Sequence, residues 1–285
     1  MYYRLVYQDL HNLRIGSSQP LLTQSIIKKT EIKLPPLEEQ KAIANILSTL
    51  DEKIEVNNQI NKILEEMAQA IFKHWFVDFE FPNEKGEPYK SSGGEMVESE
   101  LGMIPKGWYI GQLGDIAKIS SGKRPLNKSK EMNSDYLIPL IGASSIMGYV
   151  KDYNYNEPVI VIGRVGTHGV IQRFNKKIWA SDNTLVIRPK YYEYVYQLLR
   201  SIDYNSLNRG STQPLITQTD VKNVRIIMPC KYSLENYEII VGQIFNLAEN
   251  NSYENDTLTS IRNTLLPKLM SGEIRVPIKS GSEIS

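Results

Sequence analysis

Cysteine is almost absent from this chain of 285 residues. Cys230 stands alone, which excludes a disulfide framework and points to a reducing compartment, the cytoplasm. No apolar run reaches the roughly 18 residues that a membrane span requires, and no signal peptide is recognisable. Histidine is scarce too: His11, His74 and His168 are scattered and leave no paired spacing for a metal. A Gly-x-x-x-x-Gly-Lys-Ser/Thr nucleotide loop is missing, and Gly122-Lys123-Arg124-Pro125 only begins like one. The Asn-Pro-Pro-aromatic sequence of amino-methyltransferases is missing as well. Asp51-Glu52-Lys53 has the composition of a nuclease carboxylate–lysine triplet. It falls inside a helical pattern, where neighbouring positions face different sides, and reads as a solvated face. The expectation is a non-catalytic chain without metal or cofactor.

Net charge is also nearly absent, at +1, but it is unevenly divided. Residues 101–230 hold 17 Lys+Arg against 9 Asp+Glu, a surplus of eight positive charges, while the remainder holds 16 against 23. A basic module on an acidic frame suits a protein that offers one face to a polyanion.

What the chain does have is a long-range repeat. Gly16-Ser17-Ser18-Gln19-Pro20-Leu21-Leu22-Thr23-Gln24 returns as Gly210-Ser211-Thr212-Gln213-Pro214-Leu215-Ile216-Thr217-Gln218, with seven of the nine residues identical. The register holds outside it, since Leu13 matches Leu207, Lys28 matches Lys222 and Pro35 matches Pro229. A period of 194 residues is too long for a solenoid. It describes two large modules that end alike, each followed by a long helical pattern.

Taken in order, residues 1–15 read as a short amphipathic helix, 16–20 as a loop and 25–34 as extended, closed by Pro35-Pro36, which suits a helix start. From 37 to about 73 there is no Gly or Pro, and Ile43, Leu47, Leu50, Ile54, Leu64 and Ile71 form a coiled-coil seam with Asn57 and Asn61 in its middle. Residues 82–100 are polar and rich in Gly and Ser, and read as a linker or surface loop. Short strands follow over 108–190, among them the β-branched runs Val159-Ile160-Val161-Ile162 and Thr184-Leu185-Val186-Ile187. Residues 191–208 read as helical, 224–228 as a strand, and about 234–270 as a second long helix. Its seam runs through Tyr237, Val241, Ile244, Ala248, Asn251, Asn255, Leu258, Leu265 and Leu269, and Pro267 should shorten or kink it. If the two helices pair antiparallel, Asn57 and Asn61 meet Asn255 and Asn251.

At this point a family can be named. The two nonapeptides, Leu34-Pro35-Pro36-Leu37-Glu38-Glu39-Gln40, Trp75-Phe76-Val77-Asp78-Phe79, Gly93-Gly94-Glu95-Met96, Leu101-Gly102-x-Ile104-Pro105-x-Gly107-Trp108, Gly163-Arg164-Val165-Gly166 and Leu265-Leu266-Pro267-Lys268-Leu269 occur in an order that resembles the specificity subunit of type I restriction–modification systems, half-type or N-terminally truncated. The resemblance implies an α+β fold: one target-recognition domain of short, mostly antiparallel strands with a few helices, plus two long helices in an antiparallel coiled coil. It divides the chain into a remnant of a first recognition domain (1–36), the first long helix and its exit (37–81), a linker (82–100), the recognition domain (101–233), the second long helix (234–272) and a flexible tail (273–285). On this division segment 1–36 lacks the domain it would pack on, and should be mobile or borrow a surface from a partner chain. The implied partners are double-stranded DNA, methyltransferase subunits, a restriction/translocase subunit and a second copy of the chain, with no membrane.

Base readout needs Arg, Lys, Asn, Gln, Ser or Thr aimed at base edges and others on phosphates. The second module places such groups in loops. Lys123 and Arg124 follow a strand. Arg164, Thr167 and His168 lie in a Gly-rich stretch that lets backbone approach a partner. Arg173, Lys176 and Lys177 surround Phe174, and Arg209, Ser211, Thr212 and Gln213 lie in the repeated loop. Trp179 reads as core packing. Two functional classes fit this pattern: a DNA-recognition subunit that delivers a modification enzyme, and an assembly fragment that keeps the helices without reading DNA.

Overall fold

The computed structural model describes residues 2–7, 22–29, 34–164, 170–204, 206–207 and 215–277. In chain order these form α1 (Tyr2–Tyr7), α2 (Gln24–Lys29), α3 (Leu37–Phe76), β1 (Met96–Ser99), β2 (Gly102–Pro105), β3 (Tyr109–Gln112), α4 (Leu113–Ile116), β4 (Ala117–Ser121), β5 (Ile138–Ile141), β6 (Ile146–Val150), β7 (Val159–Gly163), β8 (Ile171–Phe174), β9 (Trp179–Ala180), β10 (Thr184–Pro189), α5 (Tyr192–Ser201), α6 (Gln218–Lys222), β11 (Arg225–Met228) and α7 (Lys231–Ser271). This is the expected mixture of helices and short strands, with a long helix pair. No helix among the described residues is long and apolar enough to cross a membrane. The chain forms two units, one of residues 1–64 with 245–285, the other of 65–244.

In the first unit α3 and α7 run antiparallel. Ile43 and Leu47 of α3 are buried with Leu269 of α7, flanked by Ile46, Leu265, Leu266 and Met270. Further along α3 the partners lie progressively earlier in α7. Asp51 accepts from the Arg262 guanidinium at 2.6 Å, Asn57 Nδ2 donates to Asn255 Oδ1 at 2.9 Å, and Asn251 Nδ2 donates to Asn61 Oδ1 at 2.9 Å. The asparagines meet in the expected register. Asn57 is fully buried, and a buried seam asparagine trades stability for register. Asp51 and Lys53 are both spent between the helices, Asp51 on Tyr3 and Arg262 and Lys53 on Glu254.

Several expectations change here. Residues 25–29 of the stretch predicted as extended are helical, part of α2. Thr23 Oγ1 accepts from the Ile26 N–H at 3.3 Å, and this N-terminal cap starts a turn where the apolar spacing alone suggested a strand. Helix α1 does not wait for a partner chain: Tyr3 donates to Asp51 at 2.7 Å and Arg4 to the Met270 carbonyl at 2.9 Å. Pro267 does not end α7. It forgoes its own N–H bond and the helix continues to Ser271. The stop comes at Gly272, whose φ of 79° is open to glycine without a Cβ clash. The residues that follow are tied back, with Arg275 on Glu39 at 2.8 Å and Val276 against the buried cluster. Residues 278–285 lie outside the described part.

The described residues of the second unit form four small sheets. The largest has the order β4-β10-β7-β8 and is antiparallel throughout. Every residue of β7 and the first four of β10 are buried, which the β-branched runs anticipate. A three-stranded sheet β6-β5-β9 shares its core, where Ile141, Ile178 and Ala180 meet Val159, Val161 and Val186. β3 pairs with β11, and β1 with β2. Residues 82–100, expected as a linker or surface loop, carry β1 and a turn. Tyr89 stacks on Phe81 at 4.6 Å, and Phe81 on Trp108 at 4.7 Å.

The Trp75-Phe76-Val77-Asp78-Phe79 motif ends α3 and makes the seat of the β domain. Phe76 contacts Tyr194 of α5 at 4.8 Å and Tyr237 of α7 at 4.9 Å, both edge-on. Phe79 adopts φ 63°, and the Glu80 N–H then closes back on the His74 carbonyl at 2.9 Å. A left-handed residue at this position is a common helix stop, though unusual for Phe, and the Trp108 ring at 5.8 Å holds it there.

The register makes a direct prediction. In a C230S background, N57C/N255C should form an interhelix disulfide readily under mild oxidation, and I43C/N255C should not. The reverse preference on non-reducing gels would contradict the antiparallel register.

Candidate nucleic-acid interface

Strand register decides which loops share an end of the four-stranded sheet. Ser121 at the end of β4 lies opposite Leu185, and Gly163 at the end of β7 lies opposite Thr184 at the start of β10. The chain therefore leaves toward Lys123 and toward Arg164 from the same sheet end. Close packing there needs glycine: a Cβ on Gly122 would lie 2.1 Å from the Ser181 carbonyl, and one on Gly163 would lie 2.5 Å from that of Ala143.

Arg164 is the knot of this end. Its N–H donates to the Asn183 carbonyl at 3.1 Å, and its own carbonyl accepts from the Ile216 N–H at 3.1 Å. Its guanidinium donates to Ser121 Oγ at 3.3 Å, and Gln218 Nε2 reaches the same oxygen at 2.8 Å. Arg164 Nε is buried without a hydrogen-bond partner. The end of the second nonapeptide is thereby joined to the start of the Gly-rich stretch. Thr217 caps α6 by a reciprocal pair with Asp220; at α2 Thr23 makes only the first half of that pair, accepting from the Ile26 N–H. Gln218 was not among the predicted site residues, although the repeat itself, which ends on it, carried the signal.

The other predicted residues divide. Lys123 and Arg124 are exposed, and Arg124 makes a long ion pair to Asp182, at 3.9 Å. Arg173 is half-buried in a two-pronged ion pair with Glu193 of α5, its guanidinium lying over the rings of Tyr192 and Tyr196 at 4.9 and 4.7 Å. Phe174 lies opposite Val159, so Lys176 and Lys177 start from the far end of the sheet. Both are exposed, and Lys177 sits over the Tyr153 ring at 4.7 Å. The structure thus brings together Lys123, Arg124 and Arg164, and sets Arg173, Lys176 and Lys177 apart. Thr167, His168, Arg209, Ser211, Thr212 and Gln213 lie outside the described residues. Among the described residues no group of His, Cys, Asp and Glu could hold a metal ion.

Comparison with known proteins decides the family. The model of the type I restriction modification DNA specificity domain matches residues 1–66 and 105–263. This chain belongs to that family. It is 34% identical to the type I restriction enzyme MjaIX specificity subunit of Methanocaldococcus jannaschii over 94% of its own length, and 26% identical to the HindI specificity subunit of Haemophilus influenzae over 90%. It spans 66% of the first relative and 71% of the second. A crystal structure of a type I restriction–modification S subunit from M. genitalium shares the fold, with a TM-score of 0.58 at 20% identity over 94% of this chain and 71% of that one.

The burial contrast gives a stability test that separates the cations. R173A leaves Glu193 buried without its partner and should cost about 3–5 kcal/mol in urea unfolding, as broken buried pairs do. K176A should stay within about 0.5 kcal/mol, as exposed surface changes do. Equal effects from the two would contradict the assignment of Arg173 to the domain interior.

Proposed function

We propose that this family member is a DNA sequence-recognition subunit of a type I restriction–modification complex. It binds one part of a two-part DNA site and docks the methyltransferase and restriction/translocase subunits in the cytoplasm, delivering their chemistry rather than performing any. The observation that supports this most is the sheet end where Lys123 and Arg124 stand exposed beside the Arg164–Ser121–Gln218 cluster, in the module that holds eight surplus positive charges. Cations there meet phosphates, and hydrogen-bonding side chains on glycine-tightened loops meet base edges. Lys176 and Lys177, at the opposite end of the sheet, are a separate phosphate contact in this reading, and Thr167, His168, Arg209, Ser211, Thr212 and Gln213 are proposed as further DNA contacts. Arg173 acts through the domain interior.

Docking is supported by the helices. Val56, Ile60 and Ile63 of α3 are exposed at helical spacing, an apolar stripe suited to a partner helix. One recognition domain reads one part of a site. The second part calls for another reader, supplied by a second copy of this chain or by another specificity chain.

The test is binding of duplex DNA by the chain assembled with its methyltransferase subunits. Affinity should fall steeply and linearly on a log–log plot as salt rises, with a slope of about −0.9 for each phosphate neutralised. Alanine at Lys123, Arg124, Arg164 and Arg209 together should flatten that slope and relax sequence preference. Unchanged binding by the fourfold variant would overturn the site, and salt-independent binding would favour an assembly role without DNA reading.

A further inference from the structure

The stretch from Gly122 to Lys130 concentrates positive charge. Lys123, Arg124, Lys128 and Lys130 lie in nine residues without a carboxylate. They supply as many cations as half the surplus of the whole basic module. All four are exposed.

This is not a loose loop, because both feet are tied. At the first, the Lys123 N–H donates to the Ala180 carbonyl at 2.9 Å, and the Trp179 indole donates to the Lys123 carbonyl at 2.7 Å. At the second, Ser129 and Tyr149 exchange both backbone hydrogen bonds at 2.8 Å. Each foot depends on a close backbone approach at a glycine. The limit at Gly122 is the Ser181 carbonyl, and a Cβ on Gly148, which sits at φ 145°, would lie 2.4 Å from the Ser129 carbonyl. Residues 124–128 span the interval between the feet, and Pro125, Leu126 and Asn127 border a cavity with Val150, Lys151, Asp152 and Trp179.

At the middle of that interval is a leucine. Leu126 is 97% exposed, the highest value among the exposed large apolar side chains. Single exposed apolar residues are ordinary. This one differs in its setting: it stands midway between two tied feet, preceded by Pro125 with its fixed φ, with cations on both sides. That is the arrangement of a group brought to a polyanion by its neighbours and then placed against something apolar. The apolar surfaces inside a duplex are the bases, which proteins meet through thymine methyl groups or by wedging apolar side chains between base steps.

We propose that residues 123–130 form a DNA-entering finger in which Lys123, Arg124, Lys128 and Lys130 hold phosphates and Leu126 makes an apolar base contact that contributes to sequence choice. This rests on the DNA-reading function above and adds to it a specificity-determining side chain and two phosphate-holding lysines, Lys128 and Lys130. Because the finger is already anchored, little ordering is needed on binding.

The experiment is selection from a randomised duplex library by the chain assembled with its methyltransferase subunits, as wild type, L126A, L126M and K128A/K130A. L126A should flatten one or two adjacent positions of the recovered consensus, with discrimination there reduced roughly tenfold, while affinity for a non-cognate duplex is unchanged. L126M, which keeps the volume, should retain the consensus. K128A/K130A should weaken every duplex alike and leave the consensus intact. An L126A consensus identical to that of the wild type would overturn the finger, as would an L126A loss that is equal for all sequences. A wild-type chain that binds DNA but recovers no consensus would instead overturn the sequence-reading function itself.

Discussion

A carboxylate from one helix caps the start of another, and the seating of that second helix depends on it. The residue before α5, Tyr191, offers no side-chain cap. Glu238 of α7 supplies one, accepting from the backbone N–H groups of Glu193 at 3.2 Å and Tyr194 at 2.8 Å. Negative charge at a helix N-terminus meets unpaired N–H groups and the positive end of the dipole. Burial raises the Glu238 carboxyl above its ordinary value while these N–H groups act in the opposite direction. At the other end of α5, Glu65 of α3 takes the Tyr196 hydroxyl at 3.0 Å and the Arg200 guanidinium. The aromatic seat of Phe72, Phe76, Tyr194 and Tyr237 fills the space between. Each long helix thus contributes one acid to the same ten-residue helix. The Arg173–Glu193 pair then ties α5 to β8, and through the sheet to the loop end that carries Arg164.

This explains what the sequence showed and what it hid. Heptad spacing and β-branched runs are local patterns, so the long helices, β7, β10 and β11 were legible, and the central asparagines were legible as partners because they sit at matching seam positions. The cap at α2 was missed because the apolar residues Ile27, Ile32 and Leu34 outweighed Thr23, although Thr217 in the second copy begins a helix by the same bond. Arg173 was read with the surface cations because its partner lies 20 residues on, and nothing local marks Glu193 as buried. Gln218 was within reach of the repeat, but only strand register shows that it shares Ser121 with Arg164. Residues 82–100 looked like a linker by composition, while the Phe81–Tyr89–Trp108 stack that folds them depends on rings far apart in the chain.

Charge and packing lead to the same division of labour. Three carboxylates of the long helices hold partners in place, Asp51 with Arg262, Glu65 with Arg200, and Glu238 at a helix end. The basic module pairs several of its cations with its own carboxylates, Arg173 with Glu193 and Arg188 with Glu157 among them, and leaves Lys123, Lys128, Lys130 and Lys176 exposed. A packed core with tied loops and exposed positive charge matches what reading a polyanion demands: long-range attraction without sequence preference, then side chains held in fixed places.

Hydrogen–deuterium exchange on the chain assembled with its methyltransferase subunits, with and without duplex DNA carrying a modification site, tests the central claim most directly. The account predicts that DNA slows exchange over residues 122–130 and 163–169, with no change in β7 or β10. Slowing confined to α3 and α7, with the loops untouched, would contradict it.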